Sequence, residues 1–257
     1  MKKYIRDLFV TANEHISCNY SLLKLTSSEV LPPILPGQFA EIKANDCGVL
    51  LRRPISINNV DKEKNEVWFL IHAIGKGTRK LCSANVGDSL NVLFPLGNGF
   101  TFPPSKNSRI LLIGGGVGTA PLLYFGNKLA EIGYHPVFLL GGRAENDILQ
   151  TNLFELYGDV FLTTEDGSKG EKGYVTQHSI LQTSKFDYIA ACGPKPMMEA
   201  VARFAKRHNV PCEVSLENMM ACGLGACLCC VENTIDGQLC VCKEGPIFNI
   251  NKLLWQI

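Results

Sequence analysis

Ile110-Leu111-Leu112-Ile113-Gly114-Gly115-Gly116-Val117-Gly118-Thr119-Ala120-Pro121 is the stretch that decides the fold. Four apolar residues, two of them β-branched, read as a strand buried on both faces. The glycines that follow predict a tight turn, and Pro121 suits the first turn of a helix. Leu122, Phe125, Leu129 and Ala130 recur at helical spacing, and Gly133 closes the helix. Strand, glycine turn and helix open a parallel α/β unit. An anion such as a pyrophosphate would lie at Gly114, Gly115, Gly116, Gly118 and Thr119, because small residues let it approach backbone N–H groups where the helix dipole favours negative charge. Thr119 stands where G-x-G-x-x-G would place its third glycine, so a tight turn without a ligand is the competing reading.

Toward the C-terminus the rhythm continues. Arg109 to Ile113, Val137 to Leu140, Val160 to Thr163, Tyr188 to Ala191 and Glu213 to Leu216 are short apolar runs about one helix apart. That pattern predicts a doubly wound parallel sheet. Met197, Ala200, Val201, Phe204 and Ala205 form a second helical stripe. Cys192-Gly193-Pro194 follows the fourth of these strands, at the carboxyl edge where open α/β sheets bind ligands; a buried structural thiol is the alternative for Cys192. After the second strand come Arg143 and Glu145, one suited to a 2′-phosphate and the other to a ribose diol.

Toward the N-terminus the segments Leu22 to Leu25, Gln38 to Ile42, Ser56 to Val60, Val67 to Ala73 and Ser89 to Phe94 are separated by turn residues, with no long helical period. They predict a small antiparallel barrel. The expected organisation is a β-barrel domain over residues 1–102, an α/β domain over 103–216 and a cysteine-rich subdomain over 217–257. Arg52-Arg53-Pro54-Ile55-Ser56 puts guanidinium groups and a hydroxyl on a barrel strand, where Arg53 could grip the phosphates of a flavin dinucleotide and Ser56 could bond its ring. A solvated strand end explains the same arginines. Gly75-Lys76-Gly77-Thr78, after His72, is a second candidate phosphate loop, while His72 reads equally well as an ordinary strand residue.

The chain has 257 residues, 46% of them hydrophobic, and a net charge of +1 from 25 basic and 24 acidic residues. Such a chain buries a sizeable core and offers no electrostatic footprint for nucleic acid or an anionic membrane. Met1 to Leu8 carries no apolar signal core, and no run of about 18 apolar residues occurs, so a cytoplasmic protein is expected. Eleven cysteines then point to metal rather than disulfides. Cys18, Cys47, Cys82 and Cys212 read as core residues. Cys222, Cys227 and Cys230 give C-x4-C-x2-C, with Cys242 as a distant fourth thiolate, the spacing of plant-type two-iron two-sulfur ferredoxins. Gly223 and Gly225 allow the backbone to curl around bridging sulfides and aim N–H groups at sulfur. Cys229 and Cys240 could each replace a neighbour or be spare. A four-thiolate structural zinc in a nucleotide-binding module without redox turnover is the reading from another class.

Barrel, R-x-x-S, glycine turn and C-G-P together resemble the ferredoxin-NADP reductase superfamily. The tail, Cys222 to Cys227 with Cys242-Lys243-Glu244-Gly245-Pro246-Ile247-Phe248, resembles the electron-transfer subunits of class 1B dihydroorotate dehydrogenases. That resemblance implies FAD held by Arg53, Pro54, Ile55 and Ser56, by Leu70, Ile71 and His72, and by Gly77 and Thr78. It implies a two-iron two-sulfur cluster on the four assigned cysteines, NAD as co-substrate and Cys192 near the nicotinamide. It also implies an FMN-containing catalytic partner that oxidises dihydroorotate, in a heterotetramer of two plus two subunits serving pyrimidine biosynthesis. Ile55 departs from the aromatic residue that many reductases place against the flavin. A reductase subunit for another partner, a sulfide dehydrogenase or a ferredoxin-linked enzyme, shares most of these features.

Overall fold

A computed structural model describes residues 2–45 and 47–257; Met1, where the N-terminal reading begins, lies outside them. The N-terminal half builds one antiparallel sheet from β1 (Tyr4–Ser17), β2 (Tyr20–Thr26), β3 (Phe39–Ile42), β4 (Arg53–Ser56), β5 (Asn59–Asp61), β6 (Glu66–His72) and β7 (Ser89–Leu96). Their spatial order is β4-β3-β7-β1-β2-β6-β5. The edge strands β4 and β5 are consecutive in the chain, joined by Ile57 and Asn58. Ile57 N–H donates to Gln38 O at 3.0 Å and Asn58 N–H to Trp68 O at 2.8 Å. One segment therefore pairs with β3 at one end and β6 at the other, which closes the sheet into the expected barrel. The Ser56 to Val60 run is consequently not one strand but the crossing between two.

β1 escapes the sequence reading although it is the longest strand. Its first half pairs with β7 and its second with β2, and irregularities between Val10 and Ala12 and between His15 and Ser17 break the alternation. Leu8, Leu23, Leu25, Ile42, Phe69 and Phe94 fill the barrel interior. Helix α1 (Lys76–Cys82) follows β6.

The second sheet is formed by β8 (Ile110–Gly115), β9 (Val137–Gly142), β10 (Asp159–Thr164), β11 (Glu171–Lys172), β12 (Tyr188–Cys192) and β13 (Cys212–Ser215), all parallel. Helices α2 (Ala120–Glu131), α3 (Thr151–Phe154), α4 (Ile180–Thr183) and α5 (Lys195–Arg207) connect them. α2 starts at the expected proline, buries Leu122, Phe125 and Leu129, and is followed by Gly133 at φ +91°. Because the two-residue β11 intervenes, Cys192 ends the fifth parallel strand rather than the fourth. In the tail, β14 (Val231–Thr234) and β15 (Gly237–Cys240) make a hairpin, α6 (Val241–Glu244) follows, and β16 (Ile247–Asn249) pairs antiparallel with β13. The full order is β11-β10-β9-β8-β12-β13-β16, so the strand order reverses between β8 and β12.

The tail packs against the α/β half. Leu216, Cys230, Cys240, Val241, Cys242 and Phe248 share one core with Ile113, Ala191 and Val214, and with Phe39, Leu93 and Leu96 of the barrel. Buried amides tie the two halves: Asn58 donates to Ala120 O and to Gln150 Oε1, both at 3.0 Å, and Gln150 donates back to Asn58 Oδ1 at 3.1 Å. Of the four cysteines read as core residues, Cys82 and Cys212 are buried. Cys47 is half-buried and Cys18 is exposed, because Cys18 lies in the turn between β1 and β2 where apolar packing ends. Among the described residues no helix is long and apolar enough to cross a membrane.

Candidate functional site

Where the strand order reverses, a cavity of about 570 Å³ opens at the carboxyl edge of the sheet, the place and size expected of a nucleotide crevice. Gly115, Gly116, Gly118, Gly193 and Pro194 line it. The glycines divide by role. A Cβ on Gly118 would lie 2.5 Å from Gly193 Cα and 2.6 Å from Cys192 O, so this glycine lets the two crevice loops touch. Gly116, at φ +56°, meets only the Tyr20 hydroxyl at 4.0 Å and faces open space. Gly114 and Thr119 lie behind the crevice. Thr119 is 1% exposed and donates to Gly116 O at 2.9 Å, while a Cβ on Gly114 would strike Thr119.

Cys192 is fully buried beneath Gly193, and its thiol points to Glu217 Oε1 at 3.8 Å. Burial first, then the nearby Glu217 carboxylate, pushes this thiol well above its usual range, so it stays protonated. Glu217 itself opens on the cavity yet has enough protein around it that desolvation pushes its carboxyl up. Tyr20, Arg143, Asp147 and Glu165 also line the cavity, and the sequence reading missed all but Arg143. Tyr20 stacks on His72 with ring centres 4.3 Å apart and donates to Asp147 Oδ1 at 3.0 Å across the two halves. Glu145 does not face the cavity; Lys169 lies 3.5 Å from its carboxylate and Ser168 accepts its N–H. The position of Glu165, one residue beyond β10, was the available signal: it stands beside Arg143 at the same sheet edge.

On the barrel, cross-strand pairs fix which residues share a face. Pro54 opposes Glu41 and Ser56 opposes Phe39, so both look toward the tail; Ile55 opposes Ala40 and packs on the barrel core. Arg53 lies against Gly77, where a Cβ would come within 2.9 Å of its Cδ, so the two candidate phosphate elements are brought together. Thr78 Oγ1 caps Gly75 N–H at 3.0 Å. Arg52 is held elsewhere, by Asn91 O at 2.7 Å. Leu70 and Ile71 are buried, which leaves their backbone to reach a ligand, and His72 is half-buried at the cavity. Glu41 is 1% exposed, and neither of its carboxylate oxygens has a hydrogen-bond partner among the described residues. Desolvation, then the negative Cys222 thiolate, raises its carboxyl to about 7.

The tail thiols converge two by two. Cys222 pairs with Cys227, and Cys230 with Cys242, whose N–H donates to Cys230 Sγ at 3.4 Å. Leu224 N–H donates to Cys222 Sγ at 3.4 Å and Gly225 N–H to Cys242 Sγ at 3.1 Å; both Gly223 and Gly225 have positive φ. Desolvation raises the Cys222 thiol, but the N–H groups of Leu224, Cys227 and Ala226 and the Cys227 thiol outweigh it and bring Cys222 down to about 6, whereas burial and then the shared proton of Cys230 push Cys242 up to about 12. Among the described residues no three metal-ligating side chains surround one point. A single zinc would need four thiols about one centre. Two pairs of thiols with N–H groups aimed at sulfur fit a two-iron two-sulfur cluster instead. Cys229 is exposed and Cys240 is buried beside Cys230.

Comparison with known proteins agrees with this geometry. Residues 217–254 match the iron-sulfur cluster binding domain of dihydroorotate dehydrogenase B, and residues 112–203 the oxidoreductase NAD-binding domain. A solved structure of an NADH-dependent reduced ferredoxin-NADP oxidoreductase, described for flavin-based electron bifurcation, superposes with a TM-score of 0.87 at 28% identity, over 96% of this chain and 90% of that one. The ferredoxin reductase of carbazole 1,9a-dioxygenase shares the fold at a TM-score of 0.68 and 22% identity, over 82% of this chain and 68% of that one. Electron transfer subunits of dihydroorotate dehydrogenase B (NAD(+)) are similar over most of their length. The Shouchella clausii protein is 39% identical over 85% of this chain and 86% of its own, and the Bacillus velezensis protein 36% identical over 96% and 97%. The chain belongs to the family of dihydroorotate dehydrogenase B (NAD(+)) electron transfer subunits.

Proposed function

We propose that this chain passes electrons, one at a time, from a catalytic dihydroorotate-oxidising subunit through a two-iron two-sulfur cluster to FAD, and from there to NAD+. The observation that carries this reading is the close approach of Gly223 to Glu41 and Leu96, where a Cβ would come within 2.9 and 3.0 Å of their side chains, since Glu41 opposes Pro54 on the flavin strand. The cysteine loop thus rests on the barrel face that would hold the isoalloxazine, and Glu217 leads from the start of that loop to the nucleotide crevice. FAD, when bound, supplies the conversion between single-electron and hydride chemistry.

The chain's own residues bind and orient. Arg53, Gly77 and Thr78 would hold the flavin phosphates, with the backbone of Leu70, Ile71 and His72 and the face of Pro54 and Ser56 toward the ring. Gly115, Gly116 and Gly118 admit the nicotinamide dinucleotide phosphates to backbone N–H groups. Cys192 keeps its proton, shared with Glu217 Oε1. Cys222, Cys227, Cys230 and Cys242 would hold the cluster. Glu165 presents a carboxylate at the crevice edge, where it favours a ribose diol over a 2′-phosphate, and Glu145 is occupied by Lys169.

The exposed Met219, Leu224 and Leu228 surround the cysteine loop and suit docking of the catalytic subunit. In this reading that subunit carries FMN, two copies of each chain assemble, and the complex works in the cytoplasm in pyrimidine biosynthesis. The likeness to a ferredoxin-linked oxidoreductase favours a second reading, the same relay serving another donor. The test is dihydroorotate-dependent NAD+ reduction by the complex purified anaerobically. Activity lost on removing this chain is expected; flavin and cluster spectra without that activity would move the relay to a different partner.

A further inference from the structure

Cys230 has two thiol neighbours. Cys242 is one, its N–H donating to Cys230 Sγ at 3.4 Å; Cys240, at the end of β15, is the other, paired across the hairpin with Val231, the residue after Cys230. Cys240 is only 8% exposed. Its backbone N–H is anchored by Glu244 Oε2 at 3.0 Å, and Val241 N–H by Cys230 O at 3.0 Å, so the short α6 turn fixes both thiols against the same loop. Gly225 distinguishes them. Its N–H donates to Cys242 Sγ at 3.1 Å, whereas its carbonyl oxygen faces Cys240 Sγ at 3.8 Å.

An N–H donor stabilises a thiolate and a carbonyl oxygen repels one. Of two thiols that both flank Gly225, Cys242 is therefore the better resting ligand and Cys240 the poorer. Cys229, although adjacent to Cys230 in sequence, is exposed and stands outside this arrangement.

We propose that Cys240 is a reserve cluster ligand, able to take the iron position of Cys242 when that thiolate is lost or displaced. The inference rests on the cluster assignment made above. In the exchange an iron–sulfur bond to Cys242 breaks and one to Cys240 forms; Cys242 takes up a proton, Cys240 releases one, and no electron moves. A cluster held through Cys240 loses the Gly225 N–H donor on its ligand and has a lower reduction potential than the resting form.

The experiment uses the full chain purified anaerobically with its partner, as wild type, Cys242→Ala, and Cys242→Ala with Cys240→Ser. Iron and sulfide content, visible absorption and the electron paramagnetic resonance of the reduced protein are read, with flavin content and far-ultraviolet circular dichroism as measures of folding. Wild type and Cys242→Ala should both hold about two irons per chain, the variant with a lowered potential, and the double variant should lose most of its iron while keeping flavin. Iron in Cys242→Ala no higher than in the double variant would overturn the proposal. Cys242→Ser is the second variant, nearer to the native side-chain volume. If Cys242→Ser keeps its cluster with and without Cys240 while Cys242→Ala holds none, serine oxygen alone replaces Cys242 and the reserve role is refuted. Absence of a cluster from the wild type would instead refute the cluster assignment itself.

Discussion

Replacing Glu41 with glutamine should stabilise the protein, and more so at higher pH. The carboxyl is 1% exposed, neither oxygen has a hydrogen-bond partner among the described residues, and burial, then Cys222, moves it from 4.5 to about 7. Its folded value lies above its unfolded one, so the native state binds the extra proton and stability falls as pH rises from about 4.5 to about 7. Each pH unit of that interval corresponds to about 1.4 kcal/mol, so holding the ionised form costs at most roughly 3 kcal/mol above neutrality. Glutamine keeps the shape and removes the charge. For a chain of this size the gain corresponds to a rise of about 5–10 °C in the thermal midpoint near pH 8, shrinking to nearly nothing near pH 4.5. Differential scanning calorimetry of both proteins across this range provides the assay. A variant no more stable than wild type at pH 8, with the same slope against pH, would refute the reasoning and mean that Glu41 is compensated by a donor when the cofactors are bound.

Gly118→Ala places a methyl 2.5 Å from Gly193 Cα and 2.6 Å from Cys192 O, so it should cost about 1–3 kcal/mol of stability and weaken NADH binding by isothermal calorimetry, whereas Gly116→Ala meets only open space and pays backbone strain alone. Glu165→Gln should narrow the preference for NADH over NADPH by about tenfold in kcat/KM, and Glu145→Gln should leave the ratio unchanged. Asn58→Ala strands the buried Gln150 amide and should lower the thermal midpoint by the equivalent of about 1–3 kcal/mol. Cys229→Ser should keep the cluster absorption and Cys230→Ser should lose it; the reverse would reassign the ligand.

Elements buried on both faces were the most legible. β8, β9 and β12 are nearly uniform apolar runs, and nothing in their surroundings had to be known to read them. β1 is different: the apolar Ile5 and Phe9 share the exposed face with Asp7, and two irregularities reset the parity, so no single period spans it. The closure of the barrel was hidden for another reason, since Ile57 and Asn58 look like strand interior and become a crossing only when β3 and β6 stand on either side. The cysteine spacing and the glycine turn announced the two sites because local backbone geometry demands those residues. Glu41, Asp147, Glu165 and Glu217 carried no such signature. A single carboxylate acquires its role from what folds beside it, as Glu41 does from Cys222 and Gly223, and Asp147 from Tyr20, far away in the chain.

The antiparallel pairing of β16 with β13 gives the tail a second duty. Without it, Cys212–Ser215 would be the open margin of an otherwise parallel sheet, with unpaired N–H and C=O groups ready to recruit another chain. β16 follows α6, whose first turn holds Cys242, by only a few residues. Damage to the iron site that loosens this segment would therefore uncover a sticky border as well as interrupt electron flow, so oxidised or truncated copies should be cleared from solution by self-association rather than persist as soluble, inactive subunits.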